Sequence, residues 1–280
     1  MTIVNELQRI ENNIDNSYTA LEEKGATIPT DKNSDNLAST IEALQVGGDD
    51  TWIVDVIEGE TTDLVLPSKI TKIRSEMFSV EGTAFLTSIS GEAVEEVGKY
   101  TIYKQDTIKT INLPNCKIIG EAGLVTKNIT ADSHTNNNLE TVILGQLENI
   151  GNGGLKGVFK KSSQTRIFSF NNCVIGQSAF VYNSFSELDL SGVKSIGQSA
   201  FYNNQGQLRK IWMPKTIETI TASNNYANAP FSGVASGCTI YTDVASVDEV
   251  PATWGVGWKY SRGTELNVVY GATHEDFLNA

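Results

Sequence analysis

One phrase is written twice in this chain: Ile175-Gly176-Gln177-Ser178-Ala179-Phe180 and Ile196-Gly197-Gln198-Ser199-Ala200-Phe201, with degraded copies on both sides. An apolar residue followed by glycine recurs at Val97-Gly98, Ile119-Gly120, Ile150-Gly151, Ile175-Gly176 and Ile196-Gly197, with glycine spacings of 22, 31, 25 and 21. A phrase returning every twenty to thirty residues implies a solenoid, in which each unit buries its apolar edge against its neighbours.

Before each pair lies a short stretch of alternating apolar and polar residues: Leu86–Ile89, Ile108–Leu113, Leu139–Leu144, Ile167–Phe170, Leu188–Leu190 and Leu208–Met213. Alternation of that length predicts half-buried strands. Ile111 and Leu113, or Val142 and Leu144, are then expected to point into the stack, with the next isoleucine closing the turn. The glycine allows backbone that a side chain would obstruct. Ala179-Phe180 and Ala200-Phe201 fit one helical or 3₁₀ turn on the return path, its ring filling the space between coils. The terminal coils lack the glycine: Leu66-Pro67 leads to Ile70 and Ile73, and Met213-Pro214 to Ile217 and Ile220.

Strand, Leu-Pro or an equivalent, an apolar residue, Ile-Gly and Ala-Phe, in that order over roughly Leu64 to Tyr241, resemble the BspA-type leucine-rich repeats. The resemblance implies a β-rich α/β solenoid. Proteins with such repeats occur on bacterial surfaces and in some phage particles. Gly123-Leu124 and Gly154-Leu155 depart from the pattern and precede long polar inserts, so those units are expected to be distorted.

Residues 1–48 are different material. Ile3, Leu7, Ile10, Ile14 and Leu21 form a heptad seam with Ser17 at the missing place, which predicts a helix that seeks partners. One outcome is self-association, most plausibly as a trimer; the other is a helix folded back as a cap. A second short amphipathic helix is expected around Leu37, Ile41 and Leu44, opened by capping residues. After Gly47-Gly48, a strand at Trp52, Val54 and Val56 is expected to seal the solenoid. The expected division is an anchor or oligomerisation module at 1–48, a repeat solenoid at 51–245 and a carboxyl-terminal cap at 246–280. The helical segment resembles the module that begins many tailed-phage structural and tail proteins. By that resemblance the chain is a non-enzymatic virion protein, assembled in the host cytoplasm, held by its amino-terminal helices among other virion proteins and displaying the solenoid for host attachment. A tail or baseplate place is favoured, with a fibre or head-decoration role as a variant. The alternative is a bacterial leucine-rich-repeat surface or interaction protein.

Composition bears on both readings. Hydrophobic residues make up 40% and charged residues 19% of 280 positions, enough to build a core. The start, Met1-Thr2-Ile3-Val4-Asn5-Glu6, lacks the pattern of a secretory signal, and there is no apolar run of membrane-spanning length, so membrane insertion is not expected. With 33 acidic and 21 basic residues the net charge is −12, which opposes binding to nucleic acid. Three cysteines, Cys116, Cys173 and Cys238, read as buried free thiols.

No motif for catalysis, cofactor binding or metal binding stands out. His134 and His274 are the two histidines, neither in recognised ligand spacing. Aromatic residues collect toward the carboxyl half, at Tyr202, Trp212, Tyr226, Trp254, Trp258 and Tyr260. Tyr226, Trp254 and Trp258 are candidates to face a ligand such as a host-surface glycan or protein; the competing role for Trp254 and Trp258 is to cap the last coil.

Overall fold

The computed structural model describes residues 3–23, 28–37, 61–79, 86–103, 105, 107–125, 138–159, 163–204, 208–221 and 228–280. The chain divides into two compact units, 1–54 and 55–280.

In the first unit the heptad pattern forms a helix, α1 (Ile3–Glu23, 21 residues). Leu7 and Ile10 are 61% and 46% exposed, and Ile14 is half-buried. Among the described side chains of α1 the buried one is Tyr18, which the seam omits: it is fully covered, and its hydroxyl donates to the Asn33 carbonyl at 2.8 Å. Asn33 in turn accepts the Asn36 N–H on its side-chain oxygen at 2.9 Å, capping a helical turn at Ser34–Leu37. Ile41, Leu44 and the expected strand at Trp52, Val54 and Val56 lie outside the described residues.

The second unit is a solenoid whose coils carry front strands and rear strands. In chain order these are β1 (Asp63–Val65), β2 (Lys72–Ile73), β3 (Ser88–Ser90), β4 (Glu96–Val97), β5 (Thr110–Leu113), β6 (Ile118–Ile119), β7 (Thr141–Ile150) and β8 (Thr165–Ile175). Then follow β9 (Glu187–Asp189), β10 (Val193–Ile196), β11 (Lys210–Trp212), β12 (Thr219–Ile220), β13 (Thr239–Tyr241), a small antiparallel pair β14 (Tyr260–Ser261) and β15 (Thr264–Glu265), and β16 (Asn267–Val269).

The rear strands form one parallel ladder, Ile73–Val97–Ile119–Ile150–Ile175–Ile196–Ile220, seven residues in direct register. None is more than 4% exposed. The isoleucines before the glycines are therefore layered inside, which accounts for the repeated phrase. In front, Leu64, Ile89, Ile111 and Val142 stack in the same way, and Leu188, Ile211, Ile240 and Val268 stack in a second sheet. Front strand β16 comes from the segment expected to be a terminal cap, so the ladder runs further than the repeat phrases do.

The return path is not the helical turn anticipated above, so the fold is a β-solenoid rather than an α/β one. Ser178, Phe180 and Tyr182 donate their N–H groups to the carbonyls of Gln198, Ala200 and Tyr202 on the next coil, while Ala179 and Val181 donate three residues back. Ser178 and Tyr182 have φ of 56° and 61°, a left-handed backbone that cannot continue a helix. The result is a stack of β-turns whose alternate N–H groups tie coil to coil.

Leu124 and Leu155 occupy the phenylalanine position without distortion. Leu155 donates to Ala179 and Leu124 to Gly154 just as Phe180 donates to Ala200, and both leucines are buried. The space a ring would have filled beside Phe180 is taken by Phe159 from the following loop, with centroids 6.4 Å apart. His134 and most of the insert that carries it lie outside the described residues.

Cys116, Cys173 and Cys238 are free and buried, and burial pushes each thiol up to about 12. Unfolded thiols ionise near pH 8.5, so between these values the unfolded chain holds fewer protons than the folded one. Stability from this cause is complete below about pH 8.5 and falls as the pH rises above it. A thiol reagent at pH 8 is expected to find all three cysteines silent in the native protein and reactive in guanidinium; labelling of the native protein at the unfolded rate would contradict this burial.

Candidate functional site

The front strands present two rows to solvent. Asp63, Ser88, Thr110, Thr141 and Thr165 form one; Val65, Ser90, Asn112, Ile143 and Ile167 form the other. This follows from the strand period of two, which sends alternate residues outward. Val65 is 70% and Ile167 53% exposed, so the face is flat, polar and interrupted by apolar side chains. At its edge, Ser88 and Thr87 donate hydrogen bonds to Asp63, each at 2.7 Å, and hold its carboxyl below the usual range.

The face is broken between β8 and β9. Other neighbouring front strands pair, but the front segment of β8 pairs with β7 alone and β9 with β11 alone, although β8 and β10 remain joined at the rear. The local sequence shows why. Coils with Pro67, Pro114 or Pro214 turn sharply after the front strand, because proline removes a ladder donor. β7 and β8 have no proline at that corner and run on from front to rear as strands of 10 and 11 residues. In β8 the inward position that Val142 fills one coil earlier holds Arg166. Its guanidinium donates to the Ser184 carbonyl at 3.0 Å and lies 5.8 and 5.4 Å from the rings of Phe159 and Phe185; burial lowers its pKa. Between the parted strands opens a cleft of about 490 Å³ lined by Phe168, Phe170, Phe185, Leu188 and Asp189.

Beyond the cleft the chain covers its own face. The helix α2 (His274–Leu278) is started by a capping box in which Thr273 and Asp276 exchange hydrogen bonds. It lays Phe277 on Trp212 and Tyr241, with centroids 6.4 and 6.2 Å apart. Lys210 donates to the carbonyls of Phe277, Leu278 and Ala280 at 2.9, 3.4 and 3.2 Å and pairs with Glu187 at 3.3 Å. A cation on terminal helix carbonyls is favourable in both charge and hydrogen bonding. His274 Nε2 lies 2.7 Å from an Asp189 carboxylate oxygen. This set, Lys210, Glu187, Asp189, His274 and Phe277, was not singled out from sequence, because its halves are far apart in the chain, 67 residues from Lys210 to Phe277 and 85 from Asp189 to His274.

The residues proposed as ligand-facing are placed differently. Trp254 is 0% and Trp258 3% exposed. Trp254 donates its indole N–H to the Ile217 carbonyl at 2.8 Å, and Trp258 meets it edge-on at 5.2 Å. Neither offers a free ring face, and this burial fits the competing reading in which they close the last rear coil. Trp212 is under α2, and Tyr226 lies outside the described residues. Of the anchor residues Ile3, Leu7, Ile10, Ile14 and Leu21, all lie on α1, with Leu7 and Ile10 the most exposed of those whose side chains are described.

Among the described residues no group of three or more His, Cys, Asp or Glu could hold a metal ion, and no helix is long and apolar enough to cross a membrane.

The family model of the BspA type leucine-rich repeat region matches six copies, at residues 58–130 and 124–230, more than half of the chain. The chain belongs to the BspA-type leucine-rich repeat family. The family match begins after the helical segment and gives no support to that segment's resemblance to tailed-phage proteins. A search of curated proteins finds no match. Among solved structures, this BspA-type protein is similar to a leucine-rich repeat protein from Bacteroides ovatus ATCC 8483, at 16% identity and a TM-score of 0.34 over 77% of this chain and 62% of that one. The chain thus spans under two thirds of that protein's length. It is also similar to the pneumococcal vaccine antigen PcpA, at 13% identity and a TM-score of 0.28 over 76% of this chain and 80% of that one.

Proposed function

We propose that this BspA-type protein is a bacterial surface or interaction protein and that its solenoid is a non-catalytic scaffold binding a protein partner on the open front face. The supporting observation is that Val65 and Ile167 on the front face are 70% and 53% exposed, while the same face further along the second unit already holds a peptide segment, α2. A few side chains clustered around a pocket usually carry most of the energy of such contacts. Labelled full-length protein is expected to bind target cells, and Ile167→Asp to weaken that binding at least tenfold with the melting temperature unchanged. Equal binding by the variant would remove the front face from the reading.

A second reading rests on α1. Leu7 and Ile10 expose apolar surface on one seam, as expected of a helix that assembles with copies of itself; this supports a virion tail, baseplate, fibre or head-decoration protein anchored by residues 1–48. Sedimentation of the full chain at high concentration is expected to give a trimer that Leu7→Asp with Ile10→Asp dissociates. A strictly monomeric chain would leave the bacterial reading alone.

A further inference from the structure

On the turn side of the solenoid, away from the front face and independent of what that face binds, two shallow troughs join into one groove. The first, about 490 Å³, begins at Tyr100 and Tyr103; the second, about 460 Å³, ends at Tyr202, and Lys156, Gln177 and Ser178 line both. The cause is periodic. In the coils that line the groove the third residue after the rear-strand apolar position has a left-handed backbone, at Tyr100, Ala122, Gly153, Ser178 and Ser199. Only the first of these is large, so the coils after Tyr100 leave a depression along the stack.

Its walls and floor differ in chemistry. Tyr100 and Tyr103 meet edge-on at 5.9 Å, as do Tyr182 and Tyr202 at 6.2 Å, giving an aromatic pair at each end. Between them runs a row of polar side chains from successive coils, Glu121, Asn152, Gln177 and Gln198. In the middle, the ammonium of Lys156 stands 5.5 Å from the Tyr182 ring. Several lysines on the coils pair with glutamates, as in Lys72–Glu96, Lys99–Glu121, Lys117–Glu95 and Lys194–Glu218. Among the described residues Lys156 has no such carboxylate, and burial lowers its pKa.

We propose that this groove binds an acidic oligosaccharide, with ring faces on the tyrosines, hydroxyls on the amide row and a carboxylate on Lys156. Aromatic faces suit the flat C–H surfaces of sugars, and a charge-assisted hydrogen bond would satisfy the half-buried ammonium. A peptide fits less well. The alternate turn N–H groups at Ser178, Phe180 and Tyr182 are already spent between coils, leaving no strand edge to extend, and the troughs have no deep apolar pocket. From the coil of Tyr100 to that of Tyr202 is four coil steps, roughly 19 Å at about 4.8 Å each, room for several rings in a row. With a net charge of −12 the protein repels anions at a distance, so a preference for acidic sugars has to originate locally at Lys156.

The test titrates the full chain with four oligosaccharides, a tetragalacturonate and a disialyl oligosaccharide as acidic probes and maltotetraose and cellotetraose as neutral ones, beside a polyglutamate peptide. At least one acidic sugar is expected to bind tenfold or more tightly than both neutral ones. Lys156→Gln should abolish that preference, Lys156→Arg should keep it, and Tyr202→Ala should weaken binding at least tenfold, all with melting temperatures near that of the parent. The proposal is overturned if no sugar binds, if Lys156→Gln retains the preference, or if polyglutamate binds as tightly as the sugars.

Discussion

Phe201→Ala is expected to lower the unfolding free energy by about 3 to 5 kcal/mol. The ring is completely buried and lies in the middle of a stack, 5.1 Å from Phe180 at an interplanar angle of 10° and 5.6 Å from Phe231 at 18°. Removing it takes a contact from the coils on both sides at once. Those coils cannot close the gap, because Phe201 and its neighbours are tied at the backbone: Phe180 donates to Ala200 and Phe201 to Pro230. For a unit of this size the loss corresponds to a fall in melting temperature of roughly 6 to 20 °C. Calorimetry is the measurement, and a variant that melts with the parent would mean that the rings do not share one interior. Phe201→Leu is the matching control, since Leu124 and Leu155 fill the same place in earlier coils; it should lose clearly less.

The second large effect is expected from a change that adds one carbon. At Gly197 a Cβ would stand 2.5 Å from the Gly176 carbonyl carbon and 2.6 Å from the Gln177 nitrogen. These are backbone atoms of the previous coil, which is itself held by the bond from the Gly197 N–H to the Ile175 carbonyl at 2.7 Å. The same crowding recurs at Gly120, Gly151 and Gly176, so the glycine column exists because backbones lie against each other there. Left-handed backbone is found two residues further on. Gly197→Ala should therefore cost about 3 kcal/mol, the upper end of what overpacking costs, because no side chain is available to yield. Gly153→Ala separates the two explanations. That glycine has φ of +63° and open space around its Cβ position, so alanine there should cost only about 1 to 2 kcal/mol. Denaturant titration of both variants decides between them: equal losses would mean that conformation rather than contact selects the glycines.

The isoleucine ladder was legible because its signal is local and repeated. Ile175 and Ile196 each precede the same five letters, so their common register follows from the repeat alone. The turns after them differ from the helical turn that Ala-Phe suggests, because nothing in the letters of Ser178 or Tyr182 announces a left-handed backbone; the bonds to the next coil impose it. For Trp254 and Trp258 the letters leave both a ligand-facing and a capping role open, because the Ile217 carbonyl that receives the Trp254 indole is 37 residues away. Tyr18 escaped the heptad reading for the same reason, its partner Asn33 lying 15 residues on.

By itself the sequence determined the layered interior of this protein: period, alternation and the glycine column are properties of neighbouring letters, and any stack of such coils must bury them in the same way. Only the tertiary structure decided what the surface offers. The cleft between β8 and β9, the covering of Trp212 by α2 and the groove around Lys156 each depend on side chains from different coils meeting in space, and a repeat phrase records what touches the next coil, not what is left facing solvent.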